Sequence, residues 1–152
     1  FKKNISGATK AGIKVGLYFF TQAVNEAEAV EEASMAMSLA SGYKVTYPIF
    51  IDTESASNGR ANGLSKSART AVVKAFCQTV RNGGYKAGVY ASKSWYANQL
   101  NASALNGYCI WVAQYNSSCT YSGKYDMWQY SSKGSVSGIK GNVDMNISYT
   151  GY

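Results

Sequence analysis

Asp52 and Glu54 stand two residues apart at the end of the apolar run PIFI (48–51). In an extended strand, residues i and i+2 point to the same face, so the two carboxyls share one side of the chain. When one of such a pair ionises it raises the pKa of the other, and partial burial raises it further. One member can then hold a proton near neutral pH while the other is charged. Cleavage of a glycosidic bond needs that equipment: an acid protonates the leaving oxygen and an anion supports positive charge at the sugar carbon. Asp144 in VDMN (143–146) repeats the arrangement, an acid closing an apolar strand, with Asn146 on the same face. Taken alone, each of these acids is equally explained as a cap on the loop that follows it.

Few other acids compete. The chain of 152 residues carries eight Asp and Glu against fifteen Lys and Arg, a net charge of +7, and no histidine. The lack of histidine excludes Ser-His-Asp and Cys-His catalysis and every His-ligated metal. Cys77, Cys109 and Cys119 are too scattered for a zinc site, so no metal and no cofactor are expected. One disulfide could join these cysteines in three ways; Cys77, on a helical apolar stripe, reads as a reduced core thiol. Glu26, Glu28, Glu31 and Glu32 crowd the first turns of a helix, where the macrodipole favours negative charge, and read as a solvated face. Asp126, beside Met127 and Trp128, reads as structural.

Aromatic residues supply the other half of the site. Thirteen Tyr, three Trp and five Phe accompany many Ser, Asn and Gly, a composition suited to an extracellular, sugar-facing surface. Tyr18, Tyr90, Tyr115, Trp128 and Tyr130 fall at or near predicted strand ends. Converging around the carboxylates, they would line a groove with stacking faces and hydroxyls. Trp95 and Trp111 read as core packing. The basic balance favours an anionic partner. Lys and Arg are scattered singly except for Lys2-Lys3, so nucleic acid is not the expected one. Apolar runs fall far short of the roughly 18–20 residues that span a bilayer, so no membrane insertion is expected.

These residues need a frame. An amphipathic helix is predicted over 1–11, then a strand over 13–20 and a helix from 26 to 41 capped by Asn25, with Ala29, Ala33, Ala36, Met37 and Ala40 as its inner stripe. A strand over 46–54, apolar on both faces, reads as a buried parallel strand. A helix over 66–82 capped by Ser65, a strand over 85–92 and a shorter helix over 94–105 follow. The last strands, 108–115, 124–132 and 141–149, are joined by Gly, Ser and Asn loops. GIKVGLY (12–18) echoes GYKAGVY (84–90), and AQY (113–115) echoes WQY (128–130). Tyr18, Asp52, Tyr90, Tyr115, Tyr130 and Asp144 are separated by 34, 38, 25, 15 and 14 residues. The first intervals fit strand-helix units and the last two are too short for a helical crossover. The expected fold is one α/β domain over 1–152, an irregular TIM-like β/α barrel with about six strands, the last three lacking helices. In such barrels functional side chains sit at the C-terminal ends of the strands. A closed barrel would need further strands upstream, and the unpaired edges would invite self-association.

The order VGLYFF, PIFIDTE, GYKAGVYAS, IWVAQY, DMWQYSS, GNVDMN resembles the glycoside hydrolase family 25 lysozymes of bacteria and their phages, over nearly the whole chain. The resemblance implies hydrolysis of the β-1,4 bond between N-acetylmuramic acid and N-acetylglucosamine in peptidoglycan, by a secreted or phage wall-acting enzyme. It places Glu54 as the general acid, Asp52 as its neighbouring carboxylate and Asp144 as the acid on the last strand. Tyr18, Tyr90 and Trp128 fall where family members line the sugar groove. The family also begins with a strand carrying another active-site Asp, so the chain is expected to lack an N-terminal strand-helix-strand. The alternative is a wall-binding module that holds glycan without cutting it.

Overall fold

The computed structural model describes residues 1–151. Four helices and six strands alternate as α1 (Lys2–Lys10), β1 (Leu17–Phe20), α2 (Glu26–Ala40), β2 (Ile49–Asp52), α3 (Lys66–Asn82), β3 (Ala87–Ser92), α4 (Lys93–Asn98), β4 (Cys109–Ala113), β5 (Met127–Gly134) and β6 (Val143–Ser148). The strands form one curled sheet in sequence order. All neighbours are parallel except β5 and β6, which are antiparallel. Sequential parallel strands with helices between them make the β/α half-barrel expected from the intervals. β1 and β6 each pair on one side only among the described residues.

The helices form where their caps and apolar stripes require. Asn25 accepts the Glu28 amide at 2.9 Å and starts α2; Ser65 accepts the Ala68 amide at 3.2 Å and starts α3. Ala29, Ala33, Ala36 and Ala40 are buried on α2, and Val72, Val73, Phe76, Cys77 and Val80 on α3. Small residues on α2 let the two helices close against one another and against Ile49, Ile51, Val89 and Val112 of the sheet. Cys77 is a buried reduced thiol, its Sγ 3.6 Å from the Gly88 carbonyl. No helix among the described residues is long and apolar enough to cross a membrane.

Several expected elements are shorter than predicted. The 13–20 strand is regular only from Leu17, because Val15 is tied instead to Thr46 and Tyr47. The 94–105 helix breaks into α4 and a 3-10 turn at Ala102–Leu105, with the Asn101 amide held by Thr70 Oγ1 at 2.9 Å. The β4–β5 crossover is parallel yet has no helix. Tyr121 and Tyr125 take the helix's place against the core, Tyr121 packing on Tyr96 at 5.3 Å.

Period-two alternation divides the sheet into two faces. Leu17, Phe19, Ile49, Ile51, Ala87, Val89, Ile110 and Val112 face the helices. Their neighbours Tyr18, Phe50 and Gly88, in one row, and Phe20, Asp52, Tyr90 and Trp111, in the next, face the concave side. Gly88 is required there: an added Cβ would enter the Phe50 ring and come within 3.1 Å of the Cys109 carbonyl. Phe50 cannot retreat, since Trp111 packs on it at 5.1 Å. Gly88→Ala is therefore expected to destabilise the fold by about 1–3 kcal/mol, as other overpacking changes do. The check is a thermal melt followed by tryptophan fluorescence; an unchanged midpoint would mean that Phe50 moves freely.

Candidate active site

The upper row of the concave face holds the chemistry. Asp52 ends β2 and Glu54 follows two residues later, just past the strand, and both side chains line the same cleft. Across the open sheet, β6 brings Asp144 to them from its start and not, as expected, from its end, because β6 runs antiparallel to β5 and begins beside the C-terminal end of that strand. Together with Tyr18, Tyr90, Trp111, Tyr115 and Gln129, these carboxyls line an open cleft of about 210 Å³.

Depth separates the carboxyls. Asp52 is 7% exposed and its Oδ1 has no hydrogen-bond partner among the described residues. Burial, with a smaller contribution from the Glu54 charge, pushes its pKa up to about 7. Glu54 is exposed at the cleft mouth. Its pKa is also raised, first by partial desolvation and then by the Asp144 charge. Asp52 and Glu54 are thus both harder to ionise than free carboxyls, and the pair retains a proton at a pH where a free carboxyl would have lost it.

The walls are aromatic and tightly referenced. Trp111 packs edge-on to Tyr90 at 4.8 Å, and its indole N–H donates to Asn146 Oδ1 at 2.9 Å. Asn146 in turn donates to the Asp144 carbonyl at 3.3 Å, linking the Trp111 ring to the strand that carries Asp144. Tyr90 and Tyr115 both donate to Gln129 Oε1, at 2.8 and 2.9 Å. Tyr18 is 68% exposed on β1, one row deeper than Asp52 rather than level with it.

Of the residues singled out in the sequence, Asp52, Glu54, Asp144, Tyr18, Tyr90 and Tyr115 meet in the cleft. Trp128 does not. The register pairs it with Val112 and Ile147, opposite in phase to Gln129, and its indole N–H is taken by the Gln114 carbonyl at 2.9 Å. Alternation along β5 therefore sends Trp128 away from the cleft and Gln129 into it. Asn146 stands behind Trp111 rather than among the lining residues. Trp111, expected in the core, lines the cleft instead. Gln129 was visible only as the shared residue of the AQY and WQY echoes. A buried glutamine in an apolar strand is the signal that would have marked it.

Two glutamates expected on a solvated helix face instead hold the turn between β1 and α2. Glu32 accepts the Thr21 hydroxyl at 2.6 Å and the Gln22 amide at 3.0 Å, just past β1. Glu28 accepts the Val24 amide at 3.0 Å and pairs with Arg60 at 3.0 Å. The physical reason is that the β1–α2 turn leaves amides without strand or helix partners, and nearby carboxylates take them. On the far side of Glu54, the loop over 55–63 is anchored to α3 by Arg69. This guanidinium is 2% exposed, donates to the Ala61 carbonyl at 2.8 Å and stacks over Trp95 at 4.4 Å. Trp95 thus packs inside the structure, as its sequence position suggested.

The family model described as glycosyl hydrolases family 25 matches residues 1–139. An autolytic lysozyme of Clostridium acetobutylicum is 29% identical over 147 residues, covering 96% of this chain and 43% of that protein. A family 25 glycosyl hydrolase from Bacillus anthracis superposes with a TM-score of 0.80 at 25% identity, covering 99% of this chain and 71% of its own. The modular autolysin LytC of Streptococcus pneumoniae, solved in complex with a synthetic peptidoglycan ligand, superposes with a TM-score of 0.82 at 26% identity, covering 95% of this chain and 36% of its own. The chain therefore spans less than half the length of the curated relative it matches. Matched by the family model along most of its length, and carrying the same curled β/α sheet as these relatives, the chain belongs to glycosyl hydrolases family 25.

Proposed function

We propose that this protein hydrolyses peptidoglycan at the β-1,4 bond between N-acetylmuramic acid and N-acetylglucosamine, acting on the bacterial wall as a secreted lysozyme or phage lysin. The observation that carries the reading is the convergence of Asp52, Glu54 and Asp144 on one aromatic-walled cleft, with burial and mutual repulsion raising the pKa values of Asp52 and Glu54. The autolytic lysozyme and the autolysin with its peptidoglycan ligand support the substrate class.

In this reading Glu54 is the general acid. It stands at the mouth, where a leaving oxygen can reach it, and its raised pKa keeps a proton available. As the bond breaks, the proton passes from Glu54 to the departing sugar's oxygen; water supplies the hydroxyl that replaces it at the anomeric carbon, and the proton that water gives up restores the Glu54 carboxyl. Asp52 then hydrogen-bonds the acetamido group beside the reacting carbon, a role supported by its depth and its one unpartnered oxygen. Asp144 supplies negative charge opposite Glu54 as positive charge develops on the ring. Tyr18 and Trp111 offer stacking faces to the sugars. The net charge of +7 raises the local concentration of acidic wall polymers.

Reducing-end analysis of purified peptidoglycan tests the reading. New muramic acid reducing ends are expected with the unmodified chain, and far fewer with Glu54→Gln. Retention of glycan without any release would replace the hydrolase with a binding module.

A further inference from the structure

Gln129 is buried at 3% exposure on β5, yet its carboxamide faces the cleft rather than the core. A single atom of it, Oε1, accepts from two phenols, Tyr90 at 2.8 Å and Tyr115 at 2.9 Å. Tyr90 comes from β3 and Tyr115 from the chain just after β4, so one side chain gathers three successive segments of the wall. The backbone keeps the carboxamide in place: the Gln129 carbonyl accepts the Gln114 amide at 3.0 Å, and Ala113 pairs with Gln129 across the ladder.

A carboxamide oxygen can only accept, so each phenol must spend its one proton on it. What remains on each phenolic oxygen is lone pairs. Burial first, and the charges near it second, also keep the Tyr90 phenol protonated well beyond the ordinary range. The wall formed by Tyr90 and Tyr115 can therefore accept hydrogen bonds from a ligand and has no phenolic proton left to donate to one.

We propose that Gln129 is the positioning residue that sets this polarity, making Tyr90 and Tyr115 acceptors for the donor groups, hydroxyl or amide N–H, of a glycan in the cleft. The inference rests on the glycan-hydrolase reading above and adds a determinant of which sugar edge can face that wall. Because these acceptors contact the sugar both before and during bond cleavage, their loss acts on binding more than on the chemical step.

The test has one arm that needs no turnover. With tyrosine labelled at Cζ by 13C, Tyr90→Phe and Tyr115→Phe assign the two resonances. Gln129→Leu is expected to displace both together, and Gln129→Glu, which keeps an acceptor oxygen at the same reach, to restore both toward the donor-bonded position. Displacement of only one resonance, or of neither, would overturn the shared acceptor. Gln129→Glu also decides the point if the leucine variant fails to fold: loss of both donor-bonded shifts in the glutamate variant overturns the arrangement.

The second arm is kinetic, on soluble peptidoglycan strands. Gln129→Leu should raise KM about tenfold with little change in kcat, as expected for two lost neutral hydrogen bonds. It should add nothing further in a Tyr90→Phe, Tyr115→Phe background, since the effect passes through those phenols. A fall in kcat with KM unchanged, or full additivity, would overturn the positioning role. Failure of the unmodified chain to release reducing ends would count against the hydrolase reading alone, because the resonance arm still reports the proton arrangement.

Discussion

Glu54→Gln is expected to lower release of reducing ends from peptidoglycan by about 10²–10⁴-fold, the usual weight of a general acid. The substitution preserves shape and hydrogen-bonding capacity but removes the transferable proton. Glu54 is exposed and its side chain makes no hydrogen bond among the described residues, so the thermal midpoint should stay within a degree or two of the unmodified chain. Glycan affinity should be retained, because the aromatic walls are untouched. Reducing-end release and affinity measured on the same preparation check both halves. Undiminished release with Glu54→Gln would remove Glu54 from the acid's role and leave Asp52 or Asp144 as the remaining carboxyls in the cleft.

The second large effect concerns Asp52 and runs in opposite directions for stability and activity. Its folded-state pKa of about 7 lies above the ordinary value of 3.8. Below about pH 4 the carboxyl is protonated in both folded and unfolded chains and costs nothing through linkage. Between there and pH 7 the unfolded chain releases the proton while the folded chain keeps it, so stability falls as pH rises. Above pH 7 the folded chain carries the full cost of an ionised, desolvated carboxylate with one unpartnered oxygen. Asp52→Asn removes that cost. Its melting midpoint should exceed that of the unmodified chain by about 5–10 °C at pH 8 and match it at pH 4, on the order of a few kcal/mol. Equal midpoints at pH 8 would mean that Asp52 is better solvated than its burial implies. Activity should fall at the same time, a trade between stability and function common at sites built on buried charge.

The same substitution reads the coupling between the acids. In the unmodified chain, turnover should decline as pH rises through about 7, when the Asp52–Glu54 pair loses its retained proton. That limb belongs to the pair and not to either residue. Removing the Asp52 charge leaves Glu54 with Asp144 as its charged neighbour, so whatever activity survives should show its alkaline limb at lower pH. A limb that stays in place would show that Glu54 does not feel Asp52.

Much of this was legible in the chain itself. The Asp52–Glu54 spacing needs only the two-residue repeat of a strand to place both acids on one face, and the strand is recognisable from PIFI. The caps at Asn25 and Ser65 are local chemistry, decided within three residues, and both form as the sequence predicts. The intervals between strand-end residues correctly separate the strand-helix units from the helix-free end of the sheet, because a helical crossover has a minimum length.

Which residues line the cleft was decided by tertiary structure. Trp128 and Gln129 are adjacent, and only the register of β5 against β4 determines which of them turns inward. A one-residue change of register would exchange their positions. Glu28 and Glu32 look like solvated helix charges until the β1–α2 turn brings its unpaired amides to them. The meeting of Asp144 with Glu54 joins residues 90 positions apart and depends on the curl of the whole sheet. Local rules therefore determined which acids point the same way along each strand. Long-range pairing decided how deeply each is buried and which charge stands opposite it, and these two quantities set the pKa values on which the chemistry depends.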